Sequence, residues 1–384
     1  MLLKSLTTQA STAIVMFLYY HFVTSSLNAN SEIIYFTVVS IIALSILVTD
    51  FSFAITHIQL SDTIQTTVNK VAGLRNVLIL STVLITIIFW NIAANKLDLS
   101  FWLIFFIMLL QISELLIPFF LLLVIDKGIV GQILKLVKFI ILSIILFLTD
   151  NTLTELILIN IGLNTVIFIL LAIYLSFHFN VRYVNFMLAM RLFSLSETKI
   201  YIKNFAPNLG GLLIGSVIPV FGVNFLDPKD LHRLILIDRF ARNFENLFQA
   251  VLQWNIRKLN NITTKDTLIF CACVVFSGII LIILSPHLII LLLNTNFNTA
   301  DNFYLKIYCT IVFLGPVSTL IGTGYFTFKG RSLEFALIIV LQGLATIIAI
   351  ATANHLIQPT YVIPFFYLVA VSTLILRSHK RTHK

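Results

Sequence analysis

Charge is what this chain has least of. Only 11% of its 384 residues are Asp, Glu, Lys or Arg, against 59% hydrophobic. A soluble domain carries roughly a quarter charged residues. So few charges cannot solvate a water-soluble globule of this size, which leaves lipid as the solvent. Cysteine is scarce too: Cys271, Cys273 and Cys309 all sit in apolar runs. With no histidine at ligand spacing, they form neither a disulfide framework nor a metal site and read as small apolar side chains. The chain also lacks a Walker motif, a Gly-rich loop before a helix, an HExxH and a Ser-His-Asp or Cys-His arrangement. No nucleotide-driven pump and no hydrolase is written in it. Nothing predicts a cofactor, a metal or an enzyme activity.

What is present is a succession of apolar runs of about 20 residues, the length that crosses a bilayer as a helix. Barrel strands alternate apolar and polar residues, and runs such as Phe101 to Ile125 do not. Only helices remain, because lipid leaves a backbone no other way to satisfy its hydrogen bonds. The spacing predicts spans near 9–27, 33–58, 77–94, 101–125, 129–149, 155–178, 205–226, 231–254, 267–293, 303–327, 333–353 and 361–376. The fold class is an all-α polytopic membrane protein of about 12 transmembrane helices. The first run follows Lys4 without a small-residue cleavage site and reads as an anchor rather than a signal peptide.

Basic residues orient the chain. With a cytoplasmic N-terminus, the opposite side receives only Lys96 and Lys229, four (Arg233, Arg239, Arg242, Lys306) fall inside spans of the second half, and the remaining 19 of the 25 count to the cytoplasmic side, among them Lys135 and Lys138 in the cytoplasmic half of the span 129–149. That asymmetry follows the positive-inside rule. It explains the net charge of +9 without nucleic acid, and it predicts cytoplasmic termini. The longest loop, 181–204, is basic and splits the chain into lobes at 1–180 and 205–384. Two six-helix lobes around a central cavity are a common plan for transporters. Since the two lobes supply both walls, a monomer is expected.

Ionisable residues inside spans are costly and point to function by default. Here they concentrate in span 8. At 100° per residue, Asp238, Arg242, Glu245, Gln249 and Gln253 fall within roughly 80° of one another, flanked by Arg239 and Asn246. Three readings fit this stripe. It could belong to an interfacial helix lying on the membrane. It could be a structural network in which Asp238, four residues before Arg242, and Glu245, three after it, neutralise the guanidinium. It could also be a cavity wall offering guanidinium forks to a phosphate-bearing substrate. Glu114 is the deepest acid of the first half, placed either to couple protons or cations or to hydrogen-bond a neighbouring helix. Asp50 and Lys306 lie near span ends, within reach of the interface.

At these residues the sequence resembles a known family. Glu32 to Tyr35 through Thr49-Asp50-Phe51-Ser52-Phe53, Asp230 to Leu259, and Asn294 to Ile350 with its Lys329-Gly330-Arg331 turn are similar to stretches of the polysaccharide flippases of the Wzx (O-antigen translocase) type, in the multidrug/oligosaccharidyl-lipid/polysaccharide exporter superfamily. Ser52 and His232 stand where that family usually has glycine. The resemblance implies a substrate that is a short oligosaccharide on undecaprenyl pyrophosphate, turned from the cytoplasmic to the periplasmic leaflet of a bacterial inner membrane by rocking lobes. It implies Arg242 and Arg239, then Arg233, with Lys4 and Gln249 as further substrate-binding residues. Glu114, Asp238 and Glu245 would couple the cycle or orient those cations. Polysaccharide polymerase machinery is the expected protein partner. The rivals are a cation-coupled multidrug exporter of the same superfamily, a membrane glycosyltransferase or polymerase, whose long periplasmic loop is missing here, and a non-transporting scaffold.

Overall fold

The computed structural model describes residues 2–46, 48–49, 64–117, 121–122, 128–149, 152–179, 217–254, 263–293, 297–352 and 357–379. Among them there is no strand. The helices are α1 (Leu2–Ser26), α2 (Ala29–Ile46), α3 (Ile64–Leu97), α4 (Phe101–Leu116), α5 (Gly128–Leu148), α6 (Leu153–Phe179), α7 (Val217–Phe225), α8 (Pro228–Trp254), α9 (Thr264–Leu293), α10 (Thr299–Tyr308), α11 (Ile311–Ile321), α12 (Ser332–Ala351) and α13 (Ile357–His379). Each of the twelve expected spans contains helix. The linker 181–204, the first half of span 7 and Asp50 lie outside the described residues.

Eight of these segments are long and apolar enough to cross a membrane, and Ile14–Ser26 and Phe101–Leu116 are shorter apolar helices. The chain is a multi-pass, all-α membrane protein. Its outward faces show this directly: α3 exposes Leu80, Leu84, Ile85, Ile88 and Ile92, and α9 exposes Leu268, Phe276, Ile283 and Leu291. Aliphatic surface on this scale is a lipid contact, not a solvated face.

Local sequence sets the helix ends. Ser100 accepts from the Leu103 amide at 3.2 Å, and Asn298 from the Asp301 amide at 2.7 Å. Thr152 and Glu155 cap α6 reciprocally, the Thr152 amide donating to Glu155 Oε2 at 2.8 Å. These are the side chains that satisfy the free amides of a first helical turn. Gly330, at φ 75°, makes the turn into α12 in the left-handed region that glycine enters without strain.

Span 10 is not one helix. It breaks after Tyr308, where the Val312 amide reaches back to the Cys309 carbonyl at 3.1 Å, and resumes as α11. It then widens into a π-helical turn, Gly322–Thr327. Interruptions of this kind concentrate where a membrane helix does more than span.

Packing divides the chain into two compact units. The first joins Met1–Ile33 to Leu209–Lys384. Within it α8 packs against α1, α7 and α11, and Leu234, Ile235, Leu236, Ile237, Phe240 and Ala241 are all essentially inaccessible. Phe17 of α1 meets Phe244 at 4.7 Å between ring centroids, and Thr24 Oγ1 donates to the Leu293 carbonyl of α9 at 3.0 Å. Helices in lipid gain no hydrophobic drive from one another, so close contact and polar bonds must hold them. The second unit is Ile34–Asn208, where α4 packs on α3 and α6, and α5 on α6.

Candidate functional site

The polar stripe of α8 is enclosed. Asp238 and Glu245 are buried, and Arg242 is nearly so. Arg242 Nε donates to Asp238 Oδ1 at 3.1 Å, and its Nη1 donates to Glu245 Oε2 at 2.9 Å. One turn of helix separates each partner, the spacing at which helical side chains meet. Two tyrosines complete the cluster from distant segments. Arg242 Nη1 donates to the Tyr367 hydroxyl of α13 at 2.8 Å, and the Tyr308 hydroxyl, at the break in span 10, donates to Asp238 Oδ1 at 2.6 Å. On the α11 side the wall is Gly315, where a Cβ would stand 2.0 Å from Glu245 Oε1. Two carboxylates, one guanidinium and two phenols thus share one buried volume in the first unit.

The other span 8 candidates are distributed along the helix. Arg239 is half-buried within electrostatic reach of Tyr20, which is buried on α1. Arg233, nearer the start, sits 3.8 Å from Asp301 of α10 and is about a third exposed. His232 Nε2 lies 2.9 Å from Glu32 Oε2. The side chains of Lys4 and Gln249 lie outside the described residues.

Glu114 belongs to the second unit, where Lys138 Nζ donates to its Oε2 at 2.8 Å. Asn164 Nδ2 donates to Ser113 Oγ alongside, at 3.0 Å. One turn away, Gln111 Nε2 donates to both Ser45 Oγ (2.8 Å) and Thr86 Oγ1 (3.0 Å). The amide orientation is forced. Both hydroxyls spend their own proton on a carbonyl of their own helix, Ile41 and Thr82, so each can only accept. Gln111 must present its NH₂ to them, which leaves its buried Oε1 with no protein donor. Asn164 is held in the same way, since Ser113 donates to the Leu110 carbonyl, and its Oδ1 is likewise unmatched. Arg75, a residue the basic count placed in a loop, is instead buried on α3 and donates to the Leu115 and Ile117 carbonyls, capping the end of α4.

The Lys138–Glu114 pair makes a stability prediction. Breaking one side of a buried ion pair leaves an uncompensated charge, costing about 3–5 kcal/mol, whereas replacing both sides is close to neutral. Lys138→Met is therefore expected to lower the thermal midpoint of the detergent-purified chain sharply, and Lys138→Met with Glu114→Gln to recover most of the loss. Equal midpoints for the single and double variants would refute the pairing.

Among the described residues no group of three His, Cys, Asp or Glu side chains is placed to hold a metal ion. By sequence, no known protein family matches the chain, and no curated protein does. By structure there are clear likenesses. An inward-facing multidrug resistance MATE family transporter of the MOP superfamily is similar with a TM-score of 0.63 at 11% identity, over 96% of this chain and 94% of that one. An outward-facing structure of a MATE transporter gives 0.57 at 13% identity, over 98% and 96%. The lipid II flippase MurJ, in an inward closed conformation, gives 0.57 at 12% identity, over 96% and 85%. The chain has the fold of the MATE transporters and of MurJ. That likeness runs nearly end to end along the chain.

The sequence located Arg242, Asp238 and Glu245 by periodicity, and the structure brings these three together. It does not bring Arg233 to them: that side chain pairs with Asp301. Tyr308, Tyr367 and Gly315 went unmarked because a tyrosine or glycine in an apolar run carries no signal until its neighbour across the helix interface is known.

Proposed function

We propose that this chain is a transporter that carries an anionic, lipid-linked saccharide across the membrane, of the undecaprenyl-pyrophosphate-linked oligosaccharide type, by alternating access. The observation that supports this reading is the guanidinium content of α8. In a chain so poor in charge, one buried helix carries Arg233, Arg239 and Arg242, and Arg242 is held as a rigid fork by Asp238, Glu245 and Tyr367. A planar fork of this kind suits two oxygens of a phosphate at once. The flippase among the similar structures acts on a lipid-linked substrate, which agrees with the reading. The saccharide rides in the protein while its lipid tail stays in the bilayer, in the inner membrane with both termini cytoplasmic.

A second reading has one observation in its favour. The cluster around Arg242 holds two carboxylates to one guanidinium, an acidic surplus that favours export of organic cations, and multidrug resistance transporters are among the similar structures.

One experiment separates the two. Deleting the gene in its host is expected to remove surface polysaccharide while the lipid-linked unit accumulates in the cytoplasmic leaflet, and the wild-type chain should restore both. Intact polysaccharide in a host with no second flippase, together with reduced efflux of cationic dyes, would overturn the first reading in favour of the second.

A further inference from the structure

Arg242 is bound by the wrong partner for a substrate-binding arginine. Its fork is already engaged by two carboxylates of its own helix, each 2% exposed, at 3.1 and 2.9 Å. A phosphate that uses the same N–H groups must displace at least one of them. We propose that anion binding at this site is a counter-ion exchange: an incoming oxyanion takes Arg242, and the Asp238–Glu245 pair, left without it, takes up one proton. The inference rests on the anionic-substrate reading and adds the coupling to it.

The exchange follows from what each charge leaves behind. Two carboxylates one short stretch of helix apart, both sealed from water, cannot both remain ionised once the cation between them is drawn away, because burial and mutual repulsion each oppose the second charge. A proton on the pair removes the conflict, and it belongs to the pair rather than to either residue. The balance is closed: one carboxylate becomes one carboxylic acid, the proton comes from the water that enters with the anion, and Arg242 keeps its charge throughout.

The surroundings are arranged for such a switch. Tyr308 holds Asp238 through its hydroxyl at 2.6 Å and Tyr367 holds Arg242 at 2.8 Å, so each side of the exchange has a hydroxyl partner of its own. Of the other charged or titratable groups on the surrounding helices, Arg239 follows Asp238 on α8, α1 carries Lys4, Tyr19, Tyr20 and His21, α10 carries Asp301, Tyr304 and Lys306, and α13 carries Tyr361, Arg377 and His379. Neither α7 nor α11 carries a titratable side chain. Of α9, Asp266 accepts from Thr263 at the helix start, beside Lys265, and His287 lies further along. Tyr308 is the last residue of α10, immediately before the break in span 10.

The test is calorimetric titration of the detergent-purified full chain with inorganic pyrophosphate, in buffers of differing ionisation enthalpy, which counts protons taken up per anion bound. Wild type is expected to take up about one proton more than Asp238→Asn/Glu245→Gln. Its affinity should rise as pH falls, approaching about tenfold per pH unit where uptake is complete, and that of the double variant should not. Sulfate, which stays dianionic across this range, gives the same count on wild type alone should the double variant not fold. Binding without proton uptake would overturn the exchange and leave the anion site standing. Binding of neither anion would overturn both.

Discussion

Arg242→Ala is expected to abolish transport, with surface polysaccharide lost and the lipid-linked unit accumulating as in the deletion strain. It should also lower the thermal midpoint of the purified chain. The two losses have different origins. Removing the guanidinium strands two buried carboxylates, and breaking a buried pair from one side costs about 3–5 kcal/mol. Transport fails because the fork that receives the anion is gone. Arg242→Lys separates the two: an ammonium restores the charge and much of the stability, but as a point charge it cannot hold Asp238, Glu245 and Tyr367 together as the fork does. Arg242→Leu combined with Asp238→Asn and Glu245→Gln removes every charge of the cluster. It is expected to regain stability and remain inactive. Full polysaccharide synthesis supported by Arg242→Ala would remove this residue from the site.

How far the sequence shows this site depends on where each partner lies along the chain. Asp238, Arg242 and Glu245 are within one helix, and a rotation of 100° per residue is enough to gather them. Tyr308 and Tyr367 come from 70 and 125 residues away from their partners. Nothing local marks them, because a tyrosine in an apolar run looks the same whether its hydroxyl faces a carboxylate or the interface. The twelve spans were legible for the same reason: length and apolarity are local. The break in span 10 was not, since it falls at Cys309–Thr310, seven residues before the proline that would have suggested it. Arg75 shows the reverse error. A basic residue near a span end reads as a loop charge, yet here its reach lets it cap α4 from the neighbouring helix. Gln111 was hidden by the apolar residues around it. Its role follows only from the hydroxyls of two other helices, whose protons are already committed.

Gly315→Ala is expected to destabilise the chain and impair transport, against the ordinary effect of that substitution. In a helix interior alanine is favoured over glycine by about 1 kcal/mol, so an unobstructed site would gain stability. Here the new Cβ would stand 2.0 Å from Glu245 Oε1 and 2.7 Å from its Cδ. The end of a glutamate can usually swing aside. This one is buried and held by Arg242 at 2.9 Å, so making room for a methyl group means breaking the ion pair. The sign of the effect should therefore depend on Glu245. In a Glu245→Ala background the obstacle is absent, and Gly315→Ala should become neutral or stabilising by up to about 1 kcal/mol. Thermal midpoints of the four chains form a double-mutant cycle that isolates this contact, and residues that touch in this way commonly show couplings of about 0.5–3 kcal/mol. If Gly315→Ala stabilises the wild-type chain, Glu245 makes room without losing Arg242, and the close fit between Gly315 and this ion pair is not the constraint the geometry implies.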